Sequence, residues 1–127
     1  LTLTLGPNRP AMKKIYYLST CDTCKRIMNE TGTEGFDLQD IKRQHIDAAS
    51  LDRLQKDHGS YEALFNKRAV KYRAEGLNEK SLSDADYRSL ILDEYTFLKR
   101  PVYIIEEASF VGNSKQTIQD IKNRLGE

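Results

Sequence analysis

KKIYYLSTCDTCKRIMNETG, residues 13–32, holds both cysteines of a 127-residue chain, three positions apart. Its first part, Lys13–Ser19, is a short run rich in β-branched and aromatic residues and reads as a strand. The pattern then changes. Thr20 or Cys21 can cap a helix, Ile27 and Met28 share one face, and Gly32 can stop it. Cys21 is therefore expected where a strand turns into a helix, with Cys24 inside the first helical turn.

Three readings of such a pair compete: a redox or nucleophilic couple, half of a metal site, or two inert packed side chains. The nucleophilic form of cysteine is the thiolate, and an ordinary thiol of pKa about 8.5 is only slightly ionised at neutral pH. At a helix N-terminus, unpaired N–H groups and the helix dipole favour the anion. A pKa lowered by about two corresponds to roughly 2.7 kcal/mol and makes the thiolate the majority form. Cys21 has that position, so it is expected to attack, and Cys24 to resolve a mixed disulfide from one turn away. A structural zinc needs four ligands, and His45 and His58, the two histidines, match no common finger spacing. No metal is expected. The polar neighbours Ser19, Thr20, Asp22 and Thr23 argue for exposure and against two packed thiols.

Composition narrows the class. Hydrophobic residues make up 39% and charged residues 31%, with net charge +1, as in an ordinary globular domain with no nucleic-acid surface. No apolar run approaches the roughly 18 residues of a membrane span. Two cysteines without a secretion signal suggest a reducing cytoplasm. The opening LTLTLGPNRPA lacks the features of a signal peptide. Met12 is expected to be the initiator, residues 1–11 a non-native or disordered tail, and residues 12–127 one domain.

Further along, Gly35–Ile41 reads as a second strand. DAASLDRLQKDHG is a helix that Asp47 caps and Gly59 ends, with Leu51 and Leu54 facing inward. A short helical piece starts at Ser60, and KRAVKYRAEGL reads as irregular or half-helical. Ser83 and Asp86 form a capping box ahead of Tyr87, Leu90 and Ile91. RPVYIIEEASFVG gives two strands joined by a turn at Glu106–Ala108, and Ser114 caps a last helix striped by Ile118, Ile121 and Leu125. The order predicts an α/β fold: a thioredoxin/glutaredoxin-like mixed four-stranded sheet with a helical insertion between the second and third strands. Pro101 at a strand's first position removes no ladder bond. In this layout the preceding loop lies beside the nucleophilic cysteine, which puts Arg100 near Cys21.

IYYLSTCDTCKRIMNE, ALFNKRAVKYRAEGL and FLKRPVYIIEEASFVG, in this order and spacing, resemble the glutaredoxin-dependent arsenate reductases (ArsC) and their Spx-type regulator relatives. The likeness runs from about Lys13 to Leu125. It implies a nucleophile at Cys21 and Arg100 beside a cis Pro101. Characterised arsenate reductases of this family surround the nucleophile with three arginines. Arg100 matches one; Asn66 stands at the second position, with Arg68 two places on, and Asn113 at the third. Asn66, Arg68 and Arg73 are the candidates to complete an oxyanion site. Glutathione or a glutaredoxin-type protein is the implied electron donor, with a small oxyanion or a disulfide as substrate. Cys24 departs from those reductases. The Spx-type relatives carry C-x-x-C as a redox switch and bind RNA polymerase, which is the alternative function. Gly59 falls near a functional glycine of those relatives, although it is better explained as a helix stop.

Overall fold

The computed structural model describes residues 12–126; the expected tail at 1–11 lies outside the described residues. Strand β1 (Lys13–Tyr17) leads into helix α1 (Asp22–Thr31) and strand β2 (Asp37–Asp40). Helices α2 (Ala48–His58), α3 (Val70–Ala74) and α4 (Asp84–Asp93) follow, with 3-10 turns at Glu62–Leu64, Leu77–Glu79 and Tyr95–Phe97. Strands β3 (Val102–Ile105) and β4 (Ala108–Val111) form a hairpin, and helix α5 (Lys115–Arg124) closes the order. The sheet runs β2-β1-β3-β4. β1 pairs with β2 in parallel, which requires the α1 crossover, and antiparallel with β3, as β3 does with β4. This is the α/β, thioredoxin-like sheet with helices inserted between β2 and β3 that the element order predicts.

Period-two alternation splits the core into two layers. Every residue of β3 is buried: Tyr103 and Ile105 pack with Ile15, Ile27, Ile118 and Ile121 on the α1/α5 face. Val102 and Ile104 pack on the other face with Tyr16, Leu51, Leu54 and Ile91. A central strand covered on both faces reads as continuously apolar, and VYII does.

The insertion folds around Phe65, which stacks on Phe97 at 4.8 Å and meets Tyr87 edge-on at 4.9 Å. Phe65 and Leu98 form an antiparallel bridge. Asn66 N donates to Phe97 O at 2.7 Å, and Lys99 N to Leu64 O at 2.8 Å. The middle of the helical stretch is thereby sewn to its C-terminal end, both lining the cleft that holds Cys21.

Local expectations mostly hold. The Ser83–Asp86 capping box is formed in both directions, Ser114 accepts from Thr117 N, and Gly59 ends α2 at φ 98°, a conformation glycine adopts freely. β2 is shorter than Gly35–Ile41; its outer edge is unpaired and Leu38 is exposed. The stretch KRAVKYRAEGL contains the five-residue α3, which buries nothing. Leu90 is only partly buried, with Tyr87 and Ile91 taking the inner face of α4. The hairpin turns on Glu106 and Glu107, with Glu106 at φ 58°. Arg53 donates to the Glu106 carbonyl at 2.7 Å and Arg124 pairs with both carboxylates.

Candidate active site

Cys21 reaches the site because β1 ends at Tyr17 and the chain turns sharply: Cys21 N donates to Leu18 O at 3.0 Å. The turn is held from β2, where Asp40 Oδ1 accepts from Ser19 N at 3.4 Å. Cys21 is the N-cap of α1, in extended conformation. Its sulfur makes no full cap hydrogen bond, yet the helix-start N–H groups lie close enough to favour an anion. Burial pushes the Cys21 thiol up. The N–H and thiol of Cys24, the Arg100 charge and the Thr23 N–H outweigh it and hold Cys21 below the ordinary thiol range.

Cys24 behaves oppositely. It is completely buried, and burial, with the neighbouring Cys21 charge adding to it, pushes its thiol up to about 12. The exposure inferred from polar neighbours holds for Cys21, which is half-buried, and fails for Cys24. One turn of helix explains the difference: position 24 shares the inner face with Ile27, three residues on. Both cysteines are free thiols.

Arg100 precedes Pro101 through a cis peptide bond. Its Nη1 donates to the carbonyls of Thr96 and Leu98, both at 3.1 Å. Its Nε is buried and has no hydrogen-bond partner, the single such side-chain atom among the described residues. A buried donor without a partner, on a guanidinium whose charge acts on the Cys21 sulfur, is able to take an acceptor from outside the chain.

Cys21, Thr23, Asn66, Arg68, Lys99 and Arg100 share a cleft of about 1340 Å³, whose far wall includes Gly112, Asn113 and Ser114 at the start of α5. Two further cations on its rim are neutralised: Lys67 by Glu62 at 2.6 Å and Lys71 by Glu94 at 2.7 Å. Of the residues expected around an oxyanion, Arg68 and Asn66 line the cleft, whereas Arg73 is exposed on α3 outside the lining. Asn66 is engaged by backbone: Nδ2 donates to Thr96 O at 3.3 Å and Oδ1 accepts from Arg68 N at 3.1 Å.

His45 contacts the Leu92 carbonyl and His58 the Ser109 hydroxyl; neither lines the cleft. Among the described residues, no group of three or more His, Cys, Asp or Glu could hold a metal ion. No helix among them is long and apolar enough to cross a membrane. Sequence reading missed Glu94 and Thr96, whose spacing signals a local cap and nothing catalytic. The Glu94 carboxylate accepts from Thr96 N at 3.3 Å and Thr96 Oγ1 at 2.9 Å.

Among curated proteins nothing matches the chain. Solved structures do. An arsenate reductase (ArsC) related protein from Brucella melitensis is 26% identical, with TM-score 0.64, covering 86% of this chain and 92% of its own. A "possible arsenate reductase" from Streptococcus mutans UA159 is also 26% identical, with TM-score 0.67 and coverage of 88% and 98%. Arsenate reductase from Vibrio cholerae, at 18% identity, TM-score 0.70 and coverage of 89% and 99%, shares the fold. The model of the ArsC family matches residues 16–121, from the end of β1 to the inner face of α5 and across the whole cleft, and the chain belongs to the ArsC family.

Proposed function

We propose that the chain is a thiol oxidoreductase of the arsenate reductase type with the Cys21 thiolate as nucleophile. One observation carries this reading: a sulfur at a helix start, its pKa held below the ordinary thiol range, shares a cleft with a guanidinium whose Nε lacks a partner. With arsenate, the thiolate attacks arsenic, an S–As bond forms and an As–O bond breaks, and the departing hydroxide takes a proton from solvent to leave as water. A second thiol then attacks the Cys21 sulfur; the S–S bond forms, the S–As bond breaks, and arsenic departs as arsenite with the electron pair. Glutathione or Cys24 supplies that thiol, and glutathione or a glutaredoxin-type protein returns the two electrons.

Arg100 steadies the charge, with Arg68 as the second cation; Arg73, outside the cleft lining, is assigned no contact. Cys24 stays protonated while Cys21 is anionic, and loses both the charge and the hydrogen-bond influence of Cys21 that raise its pKa once Cys21 is bonded. A disulfide substrate follows the same path, with S–S exchange replacing the S–As step. A reducing cytoplasm suits two free thiols.

Coupling the protein to glutathione, glutaredoxin and NADPH tests the reading. Arsenate-dependent NADPH loss above a Cys21→Ser control is expected, and its absence removes arsenate; a model disulfide in the same assay tests the wider exchange activity. The adjacency of Cys24 also favours a second reading, a redox-sensing regulator whose Cys21–Cys24 disulfide alters affinity for RNA polymerase, with no direct nucleic-acid contact. Failure of both reduced and oxidised protein to retain any polymerase subunit would end it.

A further inference from the structure

Asn66 stands in the cleft as though to meet a substrate, yet both of its polar atoms are committed to backbone. Its Nδ2 and the Arg100 Nη1 donate to the same oxygen, the Thr96 carbonyl, at 3.3 and 3.1 Å. Thr96 is itself anchored: its N–H and hydroxyl both donate to the Glu94 carboxylate, which Lys71 pairs from α3. Asn66 N, donating to Phe97 O at 2.7 Å, fastens the same turn from the backbone.

These bonds form a bracket around one carbonyl. From one side Asn66 pulls on it, and from the other Glu94 holds the residue that carries it. The guanidinium has little else to orient it. Arg100 has no side-chain partner among the described residues; its hydrogen bonds go to the Thr96 and Leu98 carbonyls, and its Nε has none. The direction of the charge near Cys21 is therefore set by where the Tyr95–Phe97 turn and Leu98 just after it place two carbonyl oxygens.

We propose that Asn66 and Thr96 are positioning residues that aim the Arg100 guanidinium at Cys21, and that Asn66 is not itself an oxyanion ligand. The inference rests on the proposed thiolate role of Cys21, and it gives position 66 a role other than substrate binding. A carboxamide suits that role because it donates to Thr96 O and accepts from Arg68 N at once, which a guanidinium, having no acceptor, cannot do.

The test needs no substrate. The rate of alkylation of Cys21 by iodoacetamide across pH reports its thiolate fraction, in wild type and in Asn66→Ala, Thr96→Val and Arg100→Met. The first two substitutions change no charge, so they leave the direct field at the sulfur unaltered. Both are expected to slow alkylation about 2–5-fold at a pH below the wild-type midpoint, as the cation swings away. In an Arg100→Met background the same substitutions are expected to have no further effect, since residues acting through one group are not additive. Persistence of the Asn66→Ala effect without Arg100, or no effect in its presence, overturns the proposal. Ordinary thiol behaviour of Cys21 in the wild type overturns this proposal and the thiolate reading together. An acidic wild-type Cys21 that ignores Asn66 and Thr96 overturns only the bracket.

Discussion

Cys24 is wholly buried one turn inside α1 and pushed up to about 12, while Cys21 at the start of the same helix is held below the ordinary thiol range. The two sulfurs lie close enough for each to change the other's titration, but only one can meet solvent as an anion. This asymmetry supports the proposed division of labour, in which Cys21 attacks and Cys24, with its raised pKa, stays protonated beside it and acts later.

Selective labelling follows directly. Iodoacetamide at neutral pH is expected to modify Cys21 alone, with Cys24 labelled only after unfolding; peptide mass spectrometry reads both. Equal labelling of the two in the native protein would contradict the burial of Cys24.

Alkaline stability should carry the mark of Cys24. A thiol whose folded pKa is raised above an unfolded value of about 8.5 contributes stability that is full below that value. The contribution is lost as pH rises toward about 12. The Cys21 thiolate runs the other way: its contribution is full above the unfolded pKa and is lost as pH falls through the lowered folded one. Cys24→Ala is expected to flatten the decline in urea midpoint between pH 8.5 and about 10.5, relative to wild type.

Arg100→Met should impair turnover without unfolding the chain. Charge-assisted hydrogen bonds are worth about 1.5–3 kcal/mol, so loss of one made in the transition state is expected to lower kcat/KM about 10–100-fold. The Cys21 alkylation midpoint should move upward in the same protein. Steady-state kinetics with arsenate or a model disulfide, beside a thermal melt, checks both.

Phe65→Ala removes the ring on which Phe97, Tyr87 and Tyr72 converge. A cost of about 3–5 kcal/mol in urea unfolding is expected. Activity should fall as well, because the Asn66 and Leu64 bonds to residues 97–99 depend on the same packing. Ser83→Ala is a milder control, costing about 1 kcal/mol by loss of the α4 cap and leaving the cleft alone.

The cysteine loop was legible from residues 13–32 because each signal there is local: an apolar strand, a polar switch at Thr20, helical spacing to Ile27, and Gly32 with its N–H on Met28 O. Capping boxes and glycine stops are local too, and Ser83, Asp86 and Gly59 perform as their types predict. The apolar run of β3 declared a strand buried on both faces. Such signals depend on neighbours within about four residues, and they determined the element order and hence the architecture.

What only the tertiary structure decided depends on residues that are distant in the chain. Asn66 meets Thr96 across 30 positions. Arg68 lines the cleft that holds Cys21 and Arg73 does not, although they are near neighbours in the chain and both exposed. The burial of Cys24, on the same helix face as Ile27, cannot be read from its polar neighbours. Hydrogen bonding and burial are properties of completed packing, so the chain's local grammar specified where Cys21 stands, and the packed insertion specified which charged groups share its cleft.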